Sequence, residues 1–256
     1  MVRQTDTVGG MRMDELDFSG KTVFVVGGSS GIGNGIAQAF LRKGATVHVA
    51  GTRARAADYA DSPDSQLAGL HYHRIDAGDT GSIESFVPPF DRLDVLVLSQ
   101  GQVLYKRQEF KTPAFKQVVD VNLTSLMTFA EKFHAMLQAS QGSIITISST
   151  AAFHAVRGNP AYAASKAGAF GLTRTLADAW ARDGIRVNGI APGFVATKMT
   201  RVTTDHPERM EAAMERIPLG RFGTPSDMAG VALFLASPLA AYVIGQTIPV
   251  DGGLTL

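Results

Sequence analysis

The sequence contains no cysteine, which excludes disulfides, thiol catalysis and cysteine-ligated zinc or iron–sulfur centres; haem and flavin are not excluded by this count. It lacks any apolar run near the ~18 residues of a membrane-spanning helix. Its start, Met1-Val2-Arg3-Gln4-Thr5-Asp6, has no apolar segment of signal-peptide type. Net charge is nearly absent as well: 24 Lys and Arg against 23 Asp and Glu leave +1, without a basic block, so nothing favours nucleic acid or an anionic membrane as a partner. Internal repeats and low-complexity tracts are missing. What is present is 45% hydrophobic against 18% charged residues over 256 positions, enough for a packed core and too much for a disordered chain. A soluble, cytoplasmic protein is expected.

Residues 1–17 are polar, aperiodic and include Gly9-Gly10, and are expected to form a flexible leader, with Met11 and Met13 as candidate starts. From Lys21 onward short apolar runs alternate with helical segments. The strand candidates are 22–26, 46–50, 71–75, 94–98, 143–147, 185–190 and 246–250. A helix is expected over 32–43, where Ile36, Ala37, Phe40 and Leu41 recur at helical spacing, and another over 161–182. Strands that are apolar on both faces and separated by helices imply a seven-stranded parallel sheet covered on both sides, one doubly wound Rossmann-like domain over 18–256. The least patterned internal region, 194–219, is expected to be either a lid with short helices or a long surface connection.

Gly27-Gly28-Ser29-Ser30-Gly31-Ile32-Gly33 lies between the first strand and the first helix. Glycines there allow the backbone to turn tightly and approach a pyrophosphate, whose charge meets the helix N-terminus. The second strand ends in Ala50-Gly51-Thr52-Arg53-Ala54-Arg55, without the carboxylate that would hold the ribose hydroxyls of NAD. Thr52 offers a hydroxyl, and Arg53 or Arg55 is suited to a 2′-phosphate, which favours NADP(H), with NAD(H) as the alternative. Asp76, after the third strand, is either an adenine contact or a helix cap.

Tyr162 and Lys166 are four residues apart and share one helix face. A phenol ionises near pH 10. A neighbouring ammonium together with the positive nicotinamide of an oxidised cofactor favours the phenolate, so Tyr162 would exchange a proton with a carbonyl or alcohol oxygen. Ser149 follows the fifth strand, where it would orient that oxygen; no G-x-S-x-G elbow surrounds it, which disfavours acyl transfer. Asn122 falls in the preceding helical region and either tethers backbone or holds a water that links Lys166 to solvent.

These elements together resemble the compact, single-domain branch of the short-chain dehydrogenase/reductase family, over about 18–256. The likeness rests on Gly27-x-x-x-Gly31-Ile32-Gly33, Asp94, Asn122, Ser149, Tyr162-x-x-x-Lys166, the run Arg186 to Gly193, and the closing run Gly245 to Gly253. The resemblance implies a catalytic tetrad of Asn122, Ser149, Tyr162 and Lys166. It implies cofactor contacts from Gly27, Ser29, Ser30, Gly31, Ile32, Gly33, Thr52, Arg53, Asp76 and Gly101. Tyr162, Lys166, Pro192, Gly193, Val195 and Thr197 would also contact cofactor, and no metal is implied. It further implies a homotetramer, with Leu172, Leu176, Ala179, Trp180 and the 225–253 region as interface candidates. Two departures stand out: Val26 replaces a usual threonine, and Leu98-Ser99-Gln100-Gly101 replaces Asn-Asn-Ala-Gly.

The expected function is an NADP(H)-dependent oxidoreductase interconverting a ketone, of which a 3-oxoacyl thioester is one form, and a secondary alcohol. The alternatives are an NAD(H)-dependent alcohol dehydrogenase of the same family and a non-catalytic nucleotide-binding sensor. Phe153, Phe194, Met199, Met210 and Met214 point to a moderately apolar small-molecule substrate, with His154 as a candidate second acid/base. A metal hydrolase is disfavoured because His71-Tyr72-His73 reads as an alternating strand pair without a third ligand.

Overall fold

In the computed structural model, residues 15–256 are described. Most of the expected leader, with Met11 and Met13, lies outside them; of its last residues, Leu16 packs partly buried against the core. Among the described residues seven strands form one wholly parallel sheet. They are β1 (Thr22–Val26), β2 (Thr46–Gly51), β3 (His71–Arg74), β4 (Val95–Leu98), β5 (Ser143–Ile147), β6 (Arg186–Pro192) and β7 (Thr247–Val250). The order β3-β2-β1-β4-β5-β6-β7 reverses direction between β1 and β4, which opens a crevice at the carboxyl ends of the strands. The helices are α1 (Gly31–Arg42), α2 (Thr80–Ser85), α3 (Thr112–Val119), α4 (Ser125–Ser140), α5 (Pro160–Trp180), α6 (Arg201–Thr204), α7 (Pro207–Met214) and α8 (Pro225–Ala236). None is long and apolar enough to cross a membrane.

The apolar runs are explained by burial on both faces. In β1, Val23 and Val25 join one core with Ile36, Ala37 and Phe40 of α1 and Met228 and Ala232 of α8. Phe24 and Val26 point the other way, into a second core with Leu126, Phe129 and Phe133 of α4 and Ala169 and Leu176 of α5. Phe24 is wholly enclosed and meets Phe86, Phe90, Phe129 and Phe133 at centroid distances of 5.4–6.4 Å. Leu172 and Trp180 pack on this second core and Leu176 lies within it, whereas Ala179 is exposed. Three of the four named interface candidates on α5 therefore contribute to intramolecular packing.

The strand pair His71 and His73 gains a third imidazole neighbour from β2. Parallel pairing sets His48 of β2 beside His71 of β3. His48 stacks on His71 and His73 at 4.7 and 5.2 Å, with His48 Nδ1 2.9 Å from His73 Nε2. Burial, reinforced by the neighbouring imidazoles, pushes His48 down to about 4 and lowers His73 as well. Among the described residues, no group of three such side chains is arranged to hold a metal ion.

Candidate active site

The strand ends and the 194–219 segment enclose a cleft of about 970 Å³, at the upper end of the usual range for small-molecule sites. Its floor is the glycine turn. Gly27 has φ +73°, and a Cβ there would lie 2.7 Å from the backbone nitrogen of Gln100; at Gly33 it would lie 2.3 Å from the Gly27 carbonyl oxygen. Only glycine fits at both positions. Ser30 precedes α1, and among the described residues no side chain caps this helix, while its first turn contains no acid. The Gly31 N–H donates to the Asp64 carbonyl. A bare, glycine-lined helix N-terminus suits a pyrophosphate.

Gly27, Ser29, Ser30, Gly31, Ile32, Gly33, Thr52, Asp76, Gly101, Ser149, Tyr162, Lys166, Pro192, Gly193, Val195 and Thr197 all line this cleft. Arg53 does not. It borders an adjoining recess of about 180 Å³ with Ser29, Ser30, Thr52, Tyr59, Ser62, Asp64 and Lys198. Its guanidinium lies 4.3 Å above the Tyr59 ring and donates to the Asp58 carbonyl. Arg55 points elsewhere, to the exposed Asp58 carboxylate. Asp76 accepts from the Gly78 N–H, while the cap of α2 is Asp79. Lys198 has no local sequence feature that marks it; the fold brings it from the 194–219 segment to the recess at the end of β2.

Tyr162 and Lys166 project from the first turns of α5 with Lys166 Nζ 5.7 Å from the phenol ring centre. Burial lowers the Lys166 ammonium to about 8; it donates to the Ile147 carbonyl at 2.8 Å. In the protein alone the phenol pKa is raised, first by burial, with the Ser149 hydrogen bond opposing this and the Glu109 charge adding to it. The lowering expected from Lys166 together with the cofactor's positive charge belongs to the cofactor-bound state. Ser149 also accepts from the Ala151 N–H, which fixes its hydroxyl above the end of β5.

Asn122 is fully buried and lies off the cleft wall, in a π-helical turn, Asp120–Thr124, between α3 and α4. Such turns occur often at functional sites. Its Oδ1 accepts from Gln102 N at 2.7 Å, and its amide donates to Gln102 O at 2.9 Å and Ser165 Oγ at 3.0 Å. Both amide hydrogens are thus engaged by protein, as a tether of the Gln102 backbone requires.

Gln100, in the segment that replaces Asn-Asn-Ala-Gly, is 6% exposed and borders the cleft. Its Nε2 donates to Ser125 Oγ, while its buried Oε1 has no partner. Of the apolar candidates, only Met199 reaches the cleft. Phe194, Met210 and Met214 instead pack with Phe222 in a small satellite core, Phe153 lies edge-on to Phe170, and His154 is exposed. Gln102, Val103, Tyr105, Gln117, Met199 and Thr200 also line the cleft, and give it a more polar lining than expected.

A nucleotide-binding parallel sheet with a Ser, Tyr and Lys set at its switch point defines a dehydrogenase of Rossmann type. Residues 26–255 match the family model described as enoyl-(acyl carrier protein) reductase, and the chain belongs to the short-chain dehydrogenase/reductase family. It is 39% identical over 252 residues to the 3-oxoacyl-[acyl-carrier-protein] reductase FabG of Chlamydia pneumoniae, covering 94% of this chain and 99% of that one. It is 34% identical to the 2-dehydro-3-deoxy-D-gluconate 5-dehydrogenase of Bacillus subtilis, covering 94% and 96%. Among solved structures, the RhlG/NADP active-site complex of Pseudomonas aeruginosa superposes with a TM-score of 0.85 at 30% identity, covering 95% of this chain and 100% of that one.

Proposed function

We propose that the protein is an NADP(H)-dependent oxidoreductase that interconverts a ketone and a secondary alcohol, with Tyr162 as acid/base. The observation that carries the reading is the convergence of Ser149, Tyr162 and Lys166 on one cleft that also contains the glycine turn. When bound, NADPH supplies the hydride to the carbonyl carbon. Arg53, Lys198, Thr52 and Ser29 surround the recess suited to its 2′-phosphate. The uncapped N-terminus of α1 would receive the pyrophosphate. In reduction, Tyr162 Oη gives its proton to the carbonyl oxygen, which the Ser149 hydroxyl orients; in oxidation the same atom takes the proton back. A phenol, ordinarily ionising near pH 10, is in the donating form at neutral pH.

A 3-oxoacyl thioester is the first substrate class, supported by likeness to the FabG reductases. A hydroxyl or keto sugar acid is the second, supported by the gluconate-type relative and by Gln102, Tyr105 and Gln117 around the substrate end. Acetoacetyl-CoA and 5-keto-D-gluconate, each with NADPH and NADH, separate them by loss of reduced-cofactor absorbance. Oxidation of NADPH by one of them, at several-fold greater kcat/KM than with NADH, is the expected result. A preference for NADH would remove the role given to Arg53, and turnover of neither would remove both substrate classes.

A further inference from the structure

The loop between β4 and α3 borders the substrate end of the cleft through Gln102, Val103 and Tyr105. Two successive non-glycine residues in it, Lys106 and Arg107, both have φ 58°, a left-handed backbone that side chains adopt only when surrounding contacts enforce it. They lead into Glu109, a carboxylate only 1% exposed. Its Oε1 accepts from Leu104 N at 2.9 Å and Asn159 Nδ2 at 3.2 Å, and its Oε2 accepts from Tyr162 N at 2.9 Å. All three donors are neutral amides, so the desolvated charge is balanced chiefly by the positive end of α5. That end needs such a partner. Asn159 precedes α5 without capping it through its side chain, and Pro160 at its first position has no N–H.

We propose that Glu109 is a positioning residue for Tyr162: it closes the substrate-bordering loop onto the N-terminus of α5 and fixes the backbone from which the phenol projects. This rests on the reading of Tyr162 as the acid/base. No part of the carboxylate lines the cleft, so it acts through the loop and helix rather than on substrate. Its charge also bears on the phenol, holding it protonated in concert with burial. The other titratable groups beside Tyr162 are Tyr105 on the same loop and Lys166 one turn along α5.

The test follows tyrosinate absorbance against pH in the full-length protein, with the Tyr162 contribution defined as the difference between the parent and Tyr162→Phe. In Glu109→Gln this contribution is expected to move to lower pH by about half a unit or more, a change that a purely structural contact would not produce. An unmoved contribution overturns the proposal. If Glu109→Gln does not fold, Glu109→Asp keeps the charge and withdraws it by one methylene. With NADPH and acetoacetyl-CoA, its kcat is expected to fall about 10-fold or more at unchanged NADPH affinity, and parental kcat overturns the proposal. Tyr162→Phe separates the two readings. If it turns over as the parent does, the acid/base assignment fails; if it is inactive while Glu109→Gln titrates like the parent, only the role of Glu109 fails.

Discussion

Lys166 shows the conflict between stability and chemistry at a single residue. Its ammonium is nearly without solvent and is lowered from its ordinary value near 10.5 to about 8. A depressed basic pKa means that the unfolded chain binds the proton more tightly between those values. The penalty is therefore absent above pH 10.5, grows as pH falls, and is complete below 8, at roughly 3 kcal/mol. Lys166→Met is accordingly expected to raise the melting temperature of the cofactor-free protein at pH 7 while abolishing turnover, measurable by thermal denaturation beside an activity assay; an unchanged or lower melting temperature would contradict this. At Arg53, stacking on Tyr59 holds the guanidinium at the mouth of the recess. Arg53→Ala is expected to weaken NADPH binding about 10-fold or more, by loss of a charge-assisted contact, and to leave NADH binding nearly unchanged. Fluorescence titration of both cofactors checks this, and equal losses would refute the phosphate contact.

At the scale of elements, the β2–β3 edge joins stability to pH. The folded protein keeps His48 and His73 uncharged, with His48 near 4, whereas the unfolded imidazoles titrate near 6.5. Their contribution to stability is fully present above pH 6.5 and is lost as pH falls toward 4. Urea denaturation at pH 7.5 and 5.0 is expected to show a drop in stability that His48→Leu reduces; an identical drop in the variant would refute it. Most of the strands were legible because they are short, apolar and rich in β-branched residues on both faces, and the glycine turn because it follows the first strand. The histidine stack was not, since His48 and His71 are brought together only by parallel pairing across the long β2–β3 connection. The lid helices fell within a region recognised only as weakly patterned, and its Phe194, Met210 and Met214 turn inward to a satellite core that sequence spacing does not reveal.

For the whole molecule, two cores on opposite faces of one sheet hold the carboxyl ends of β1, β4, β5 and β6 in fixed relation, and the cleft depends on that frame. Phe24 is central to one of these cores, and Phe24→Ala is expected to destabilise the fold by about 3–5 kcal/mol. Motif spacing singled out Ser149, Tyr162 and Lys166, and all three line one cleft. Glu109 was not readable, because its partners Leu104, Asn159 and Tyr162 lie on separate segments and no local pattern distinguishes a buried carboxylate from a solvated one. The most direct test of the central claim is a single-turnover comparison of the parent and Tyr162→Phe, each saturated with NADPH and mixed with the carbonyl substrate that the parent reduces. The variant is expected to bind NADPH normally yet oxidise it about 10²–10⁴ times more slowly. Oxidation at the parental rate would show that the proton comes from elsewhere.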